Sequence, residues 1–310
     1  MADWLFIGLF KSLLDGVLIG SLYALMAVGL TLVYRVAQVP NFAHAEYITY
    51  GAYAAFAVAA FLGGGIFGAV VFAALAGLLL AVASDELVFK PLWARGSSPL
   101  HLLVASIGVG LVLRYCLLAV AAASAGLLQI SLPERPKILA VVFGATPITT
   151  VHVAAPALAL STAILLHLLL TKTRIGKAMR ATASNPVLAR ISGINIYAVR
   201  RVTWAISGML AGLAGFMYAY YIAVNPESGW IALLWMFAAA IVGGFTFYGA
   251  MLSGLLLGIA EHTLSFLAYQ LFGVNTAYRP AIALIIMVLV LLFKPEGLIR
   301  LQSLSLSRRV

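Results

Sequence analysis

The chain has 310 residues, of which 64% are apolar and 9% charged, and nineteen Lys and Arg against nine Asp and Glu leave it at +10. Soluble domains carry charge on about a quarter of their residues, so this composition excludes a soluble domain of any size and points to an integral membrane protein. The positive balance does not indicate a nucleic-acid partner, because the basic residues sit in short loops beside apolar runs, as cytoplasmic Lys/Arg bias places them.

Ala2 to Phe10 is apolar with Trp4 near its start, suiting an interfacial helix or a long first span in which Lys11 and Asp15 can pair across one turn. Asp3 and the lack of a positive n-region argue against a cleaved signal peptide. The first clear span runs from Gly16 to Tyr34, and Gly16 and Gly20 at four-residue spacing let another helix approach closely. Pro40 then breaks the helix, and Asn41, His44, Glu46, Thr49 and Tyr50 bring polar groups into an apolar context. Such groups are expensive in lipid and face protein or a water-filled path, so Asn41, Phe42, His44 and Glu46 are candidates for a translocation route. A short loop at the membrane surface is the plainer reading.

Spans follow from about Tyr47 to Leu62 and Ile66 to Ala83, turned by Gly63, Gly64 and Gly65, and a polar loop from Ser84 to Pro99 carries Lys90 and Arg95. The next span, about Leu100 to Ala123, includes Arg114, which faces a neighbouring helix or snorkels to an edge, and the sole cysteine, Cys116, expected as a buried small hydrophobe. Ser124 to Thr150 is the longest weakly hydrophobic connection, and about Val151 to Leu170 is a further span.

A polar island from Thr171 to Arg201 holds seven of the nineteen basic residues and no acidic one. Within it Arg174 to Ser184 is helix-compatible, Asn185 and Pro186 form an N-cap followed by proline at the first helical position, and Val187 to Ser192 is a helix ended by Gly193. The result is a compact, capped element flanked by Arg180 and Arg190, shaped for a cleft in a soluble partner. The plainer alternative is a solvated loop that touches lipid headgroups.

Val202 to Tyr221 presents Gly208, Gly212 and Gly215 on one face, a close-packing surface, and a linker follows at Asn225, Pro226 and Glu227. Spans from about Trp230 to Phe245 and Ala250 to Leu271 flank a glycine-rich kink, GGFTFYG, which makes Gly243, Gly244, Thr246 and Tyr248 further candidates for the route. Glu261, deep in a span beside His262, is another. A last span runs from about Pro280 to Phe293, and the tail carries Lys294, Arg300, Arg308 and Arg309.

The expectation is an all-α integral membrane protein of about eight to nine transmembrane helices with broken or re-entrant segments and a cytoplasmic coupling helix. It forms one transmembrane domain, 1–310, with 171–201 as a loop inside it. With the island cytoplasmic and the N-terminus outside, fourteen basic residues fall inside, Lys11, Arg135, Lys137 and Arg279 fall outside and Arg114 lies within the membrane, the asymmetry that orients membrane proteins. A break flanked by helices occurs in each half, at NFAHAEY and GGFTFYGAM, which suggests an internal repeat. There is no metalloprotease helix, Walker A loop or nucleophile elbow, so no catalytic residue is assigned, and a chain with a large basic loop and no nucleotide site could take energy from a separate ATPase.

The segment GSLYALMAVGLTLVYRVAQVPNFAHAEYITYGAY, the island RIGKAMRATASNPVLARISGIN and the end FKPEGL together resemble the permease subunit of branched-chain amino acid ABC importers, the LivH type. The resemblance implies an inner-membrane permease that pairs with a second permease of the LivM type, binds two cytoplasmic ATPases and receives substrate from an extracytoplasmic binding protein. ATP and Mg would be bound by the ATPases, leaving this chain without a cofactor. The island would be the coupling helix, with Val187, Leu188, Ala189 and Gly193 matching the family's EAA-x3-G pattern, so that the glutamate and first alanine are replaced. Ala45 in place of the family's glycine, and the bulkier GGFTFYGA turn, bear on substrate. Permeases for urea and short amides share these motifs. Two other classes stay open: a passive channel or secondary carrier with both breaks around a pore, and a membrane anchor, which leaves the polar residues of Asn41 to Tyr50 unused.

Overall fold

The computed structural model describes residues 2–143 and 146–298. The tail arginines Arg300, Arg308 and Arg309 lie outside the described residues.

Helix α1 (Ala2–Ala37) has 36 residues, about 54 Å of helix. The interfacial stretch and the first span expected from the sequence are thus one element. From Leu18 to Val33 every residue is buried, so α1 is apolar all round because protein surrounds it on every side, and it is the post on which the bundle is built. Asp15 does not pair with Lys11; its Oδ1 meets Nε2 of His152 at 3.0 Å.

After the break come α2 (His44–Phe61) and α3 (Gly65–Ser84), a π-helical turn (Asp85–Phe89), α4 (Lys90–Ala94) and α5 (Pro99–Ala122), whose N-cap is Ser98. A hairpin of β1 (Ile138–Val142) and β2 (Thr146–Thr149) occupies what the sequence reads as plain connection, and Phe143 at its tip sets its ring against Phe6 and Phe10. Then follow α6 (Thr150–Lys172), α7 (Arg174–Ser184), α8 (Pro186–Ile191), α9 (Ile196–Tyr221), α10 (Ser228–Val242), α11 (Phe247–Phe272) and α12 (Arg279–Phe293).

Among the described residues seven helices are long and apolar enough to cross a membrane. The two other apolar runs of the sequence are α2, whose first turn holds His44 and Glu46, and α10, whose 15 residues extend only about 22 Å against a hydrocarbon core of about 30 Å. Both begin inside the bundle. His44 packs against Gly29, two turns short of the end of α1, so α2 begins inside the bundle and runs outward. Gly229 packs on Ala45 and Thr49, so α10 begins at the same depth and runs the opposite way.

Glycines set the close crossings. Gly77 of α3 meets Gly208 of α9 backbone to backbone, and Gly212 meets Ala73. Gly16 and Gly20 of α1 meet Gly258 and Leu255 of α11 in the same manner. With no side chain between them the backbones touch, which is how helices associate where no hydrophobic force drives them together. These two crossings correspond. The triplets α1, α2, α3 and α9, α10, α11 run in opposite senses and pack reciprocally, α3 on α9 and α11 on α1. The second break is therefore at Asn225–Glu227, before α10; GGFTFYG is instead the tight turn that reverses α10 into α11.

Candidate functional site

The break at 38–43 puts polar chemistry inside the bundle. Asn41, His44 and Glu46 are buried and Phe42 partly so, its ring stacked on Phe237 of α10 at 4.7 Å between centroids. The hydroxyl of Ser106 on α5 accepts from the Phe42 amide at 3.1 Å and donates to the Pro40 carbonyl at 3.0 Å, supplying partners to backbone groups that the broken helix has freed. His44 Nδ1 lies 3.3 Å from Ser207 Oγ of α9, which donates to the Gly29 carbonyl at 2.7 Å. Glu46, in the first turn of α2, sits where the helix dipole favours a negative charge.

Arg114 completes the cluster. Its Nε lies 3.3 Å from Glu46 Oε1, and its guanidinium is under the indole of Trp230, 4.2 Å from the ring centroid. It neither snorkels nor faces lipid; three elements, α2, α5 and α10, converge on it. The start of α10 is tied to α2 by the Gly229 amide, which donates to Thr49 Oγ1 at 3.0 Å. Sequence reasoning named Asn41, His44 and Glu46 but not Trp230. The signal for it was the length of α10, too short to cross after an Asn-Pro pair. Cys116, two residues beyond Arg114, is exposed and not buried, because the apolar surroundings of that face of α5 lie outside the chain.

The remaining route candidates do not join this cluster. Gly243, Gly244 and Thr246 form the turn at the other end of α10, where Thr246 caps α11 by accepting from the Gly249 amide at 3.1 Å. That turn packs on Glu296 and Gly297 of the FKPEGL segment and is held by Arg35, whose Nε donates to the Phe245 carbonyl at 2.7 Å. Tyr248 is exposed and its hydroxyl is 2.5 Å from His167 Nδ1 of α6. Glu261 is buried between α11 and α1, accepting from the Tyr23 hydroxyl at 3.0 Å, and Tyr23 stacks on Trp235.

At the end of the bundle that carries Arg35, α7 and α8 form an elbow. Asn185 caps α8, its Oδ1 accepting from the Val187 and Leu188 amides at 3.0 Å each, with Pro186 at the first helical position. Gly193 follows at φ +81°, a left-handed conformation that glycine adopts freely. Val187, Leu188 and Ile191 are 66%, 60% and 78% exposed whereas Ala189 faces inward, so the helix presents an apolar knob, with Arg180 and Arg190 exposed around it. Two basic residues of the island are engaged within the chain: Arg200 pairs with Asp85 at 2.6 Å and Arg201 with Glu86 at 2.6 Å, and Lys90 also reaches Glu86 at 2.5 Å.

Comparison with known proteins gives the family. A family model described as the permease component of the branched-chain amino acid transport system matches residues 12–291. The probable branched-chain amino acid transport permease protein LivH of Methanocaldococcus jannaschii is 34% identical, over 96% of this chain and 95% of its own. The high-affinity branched-chain amino acid transport system permease protein LivH of Escherichia coli K12 is 30% identical, over 95% and 96%. Among solved structures, PsaBC from Streptococcus pneumoniae in complex with Fab has the same fold, at a TM-score of 0.51 and 16% identity over 96% of this chain and 97% of that one. The chain belongs to the family of branched-chain amino acid transport system permease components.

Proposed function

We propose that this chain is the permease subunit of an ATP-driven importer that carries branched-chain or related amino acids into the cell. Its partners are a second permease, two ATPases docked on the cytoplasmic face and an extracytoplasmic binding protein that delivers substrate. The N-terminus lies outside and the C-terminus inside, which puts Arg35, Arg95 and the 171–201 island on the cytoplasmic side, in keeping with the positive-inside rule.

The observation that carries this reading is the α7–α8 elbow: a short helix capped at both ends that exposes Val187, Leu188 and Ile191 where a soluble domain can cover them. With Val187 in the family's glutamate position the contact is one of shape and apolar packing, flanked by Arg180 and Arg190. ATP-driven closure of the ATPase pair moves this elbow, and α9, which follows it directly, passes the movement to Ser207 and His44 at the break. Asn41, Phe42, His44 and Glu46 support the route; Gly243, Gly244, Thr246 and Tyr248 act at its cytoplasmic end, and Glu261 holds α11 to α1. Coupling is reciprocal, so loaded binding protein outside raises ATPase turnover inside.

The test is ATP-dependent uptake of L-leucine by vesicles carrying the full assembly. Leu188→Asp changes an exposed position and leaves the fold intact; uptake falls at least tenfold, with ATPase lost from the complex or uncoupled from the binding protein. Unchanged uptake and ATPase activity sink the assignment, and uptake of urea or acetamide in place of L-leucine reassigns the substrate.

A further inference from the structure

Glu46 and Arg114 face each other in a way that a purely structural pair does not require. An arginine and a carboxylate that only hold helices together satisfy one another best side by side, through two parallel hydrogen bonds. Here a single contact at 3.3 Å joins them, and the second atom of each, Oε2 of Glu46 and Nη2 of Arg114, is buried without a hydrogen-bond partner. The side chains are 1% and 10% exposed. An ion pair taken out of water repays its desolvation only when its remaining lone pairs and protons are met, and charged groups at such depth mark substrate pathways. One open acceptor of negative sign and one open donor of positive sign are left adjacent.

The guanidinium lies beneath a partly exposed side chain. Trp230, which covers the guanidinium, is itself 41% exposed, so the pair lies one indole deep below an open face of the chain. Helix α5, carrying Arg114, meets α2 through separate hydrogen bonds, with Tyr50 Oη donating to the Leu113 carbonyl at 2.9 Å above Arg114 and Ser106 bonded to Pro40 and Phe42 below.

We propose that Glu46 and Arg114 form a receptor for the zwitterionic head of an α-amino acid, the substrate carboxylate taking the open Nη2 of Arg114 and its ammonium the open Oε2 of Glu46, with Trp230 as the cover. This rests on the amino acid reading above and deepens it: the permease itself recognises the part that all α-amino acids share and leaves the side chain to the binding protein. A lone anion would meet the carboxylate of Glu46 and a lone cation the guanidinium of Arg114, so each is rejected; a neutral amide brings dipoles but no charge to either atom.

The experiment is thermal unfolding of the full chain, with its partner permease, in detergent, titrated with L-leucine, 3-methylbutylamine, 4-methylpentanoate and 4-methylpentanamide. L-leucine raises the midpoint, and the amine, the acid and the amide bind at least tenfold more weakly. Glu46→Gln and Arg114→Met each weaken L-leucine binding at least tenfold, Arg114→Lys restores part of it, and Trp230→Ala weakens it too. Equal binding of all four compounds, no shift with L-leucine, or wild-type affinity in the folded variants overturns the proposal, and the wild-type series decides even where a variant does not fold. Vesicle uptake separates this from the functional reading: an assembly that imports L-leucine with unchanged maximal rate and KM in Arg114→Met refutes the receptor alone, whereas one that imports no amino acid refutes the function.

Discussion

Arg200 and Asp85 lie 115 positions apart and meet at 2.6 Å, both buried, where the π turn at the end of α3 touches the start of α9. The guanidinium is also within 5.6 Å of the Trp93 ring centroid and 5.9 Å of that of Trp204. A π turn inserts a residue into the helical ladder and so rotates side chains about the helix axis, which here brings Asp85 to the arginine. Removing one partner strands the other in the interior: Asp85→Asn or Arg200→Met is expected to cost about 3–5 kcal/mol, and the double replacement Asp85→Leu with Arg200→Leu to recover most of it. Chemical unfolding of the four proteins of this cycle in detergent measures the coupling; additive losses refute it.

The cap on α8 makes a local prediction. Asn185→Ala removes the acceptor of two amides and is expected to destabilise the helix by about 0.5–2 kcal/mol, with Asn185→Asp close to wild type. Hydrogen exchange reads this directly: the amides of 187–192 exchange several-fold faster while those of α7 are unchanged. Equal protection in all three proteins refutes the prediction.

Thr49→Val leaves the buried Gly229 amide without an acceptor. The expected loss is about 1–3 kcal/mol, and Thr49→Ser, which keeps the hydroxyl, restores it. The unfolding midpoint of the three proteins is the measurement, and equal midpoints for valine and serine refute the role.

Glycine positions divide by what lies opposite them. At Gly212 an added side chain meets the backbone of Ala73, which cannot rotate away, so Gly212→Val is expected to cost at least about 1–3 kcal/mol and to lower the folded yield in the membrane. At Gly108, with open space around it on α5, Gly108→Ala is expected to stabilise by about 0.5–1 kcal/mol. The pair is read by fluorescence size-exclusion yield and midpoint; similar effects at both sites refute the backbone-contact account.

Short-range rules made part of the molecule legible in its sequence. The α7–α8 elbow follows from Asn185, Pro186 and Gly193 within nine positions, and the crossing faces from glycines at four-residue spacing. The break at Pro40 and the burial of Asn41, His44 and Glu46 follow from polar residues in an apolar run. Out of reach were relations made only by folding. Arg114 finds Glu46 across 68 positions, Arg200 and Arg201 of α9 find their acids in the π turn after α3, and α2 and α10 begin at a shared depth because Gly229 packs on α2. Hydropathy also counts α10 as a span although its length forbids a full crossing, and the glycines of GGFTFYG read as a break between half-helices because glycine marks a tight turn as readily as a break.

The inverted relation of α1–α2–α3 to α9–α10–α11 has a consequence for direction. A scaffold made of one three-helix unit and its upside-down counterpart presents corresponding crossings toward both ends, so the core crossings alone do not distinguish the two ends. What tells the ends apart lies outside those crossings. One end carries the Arg200–Asp85 and Arg201–Glu86 pairs and the α8 knob; the other carries the β1–β2 hairpin sealed by Phe143 against Phe6 and Phe10. In this protein the two ends are therefore told apart by what is attached to them and not by the core crossings.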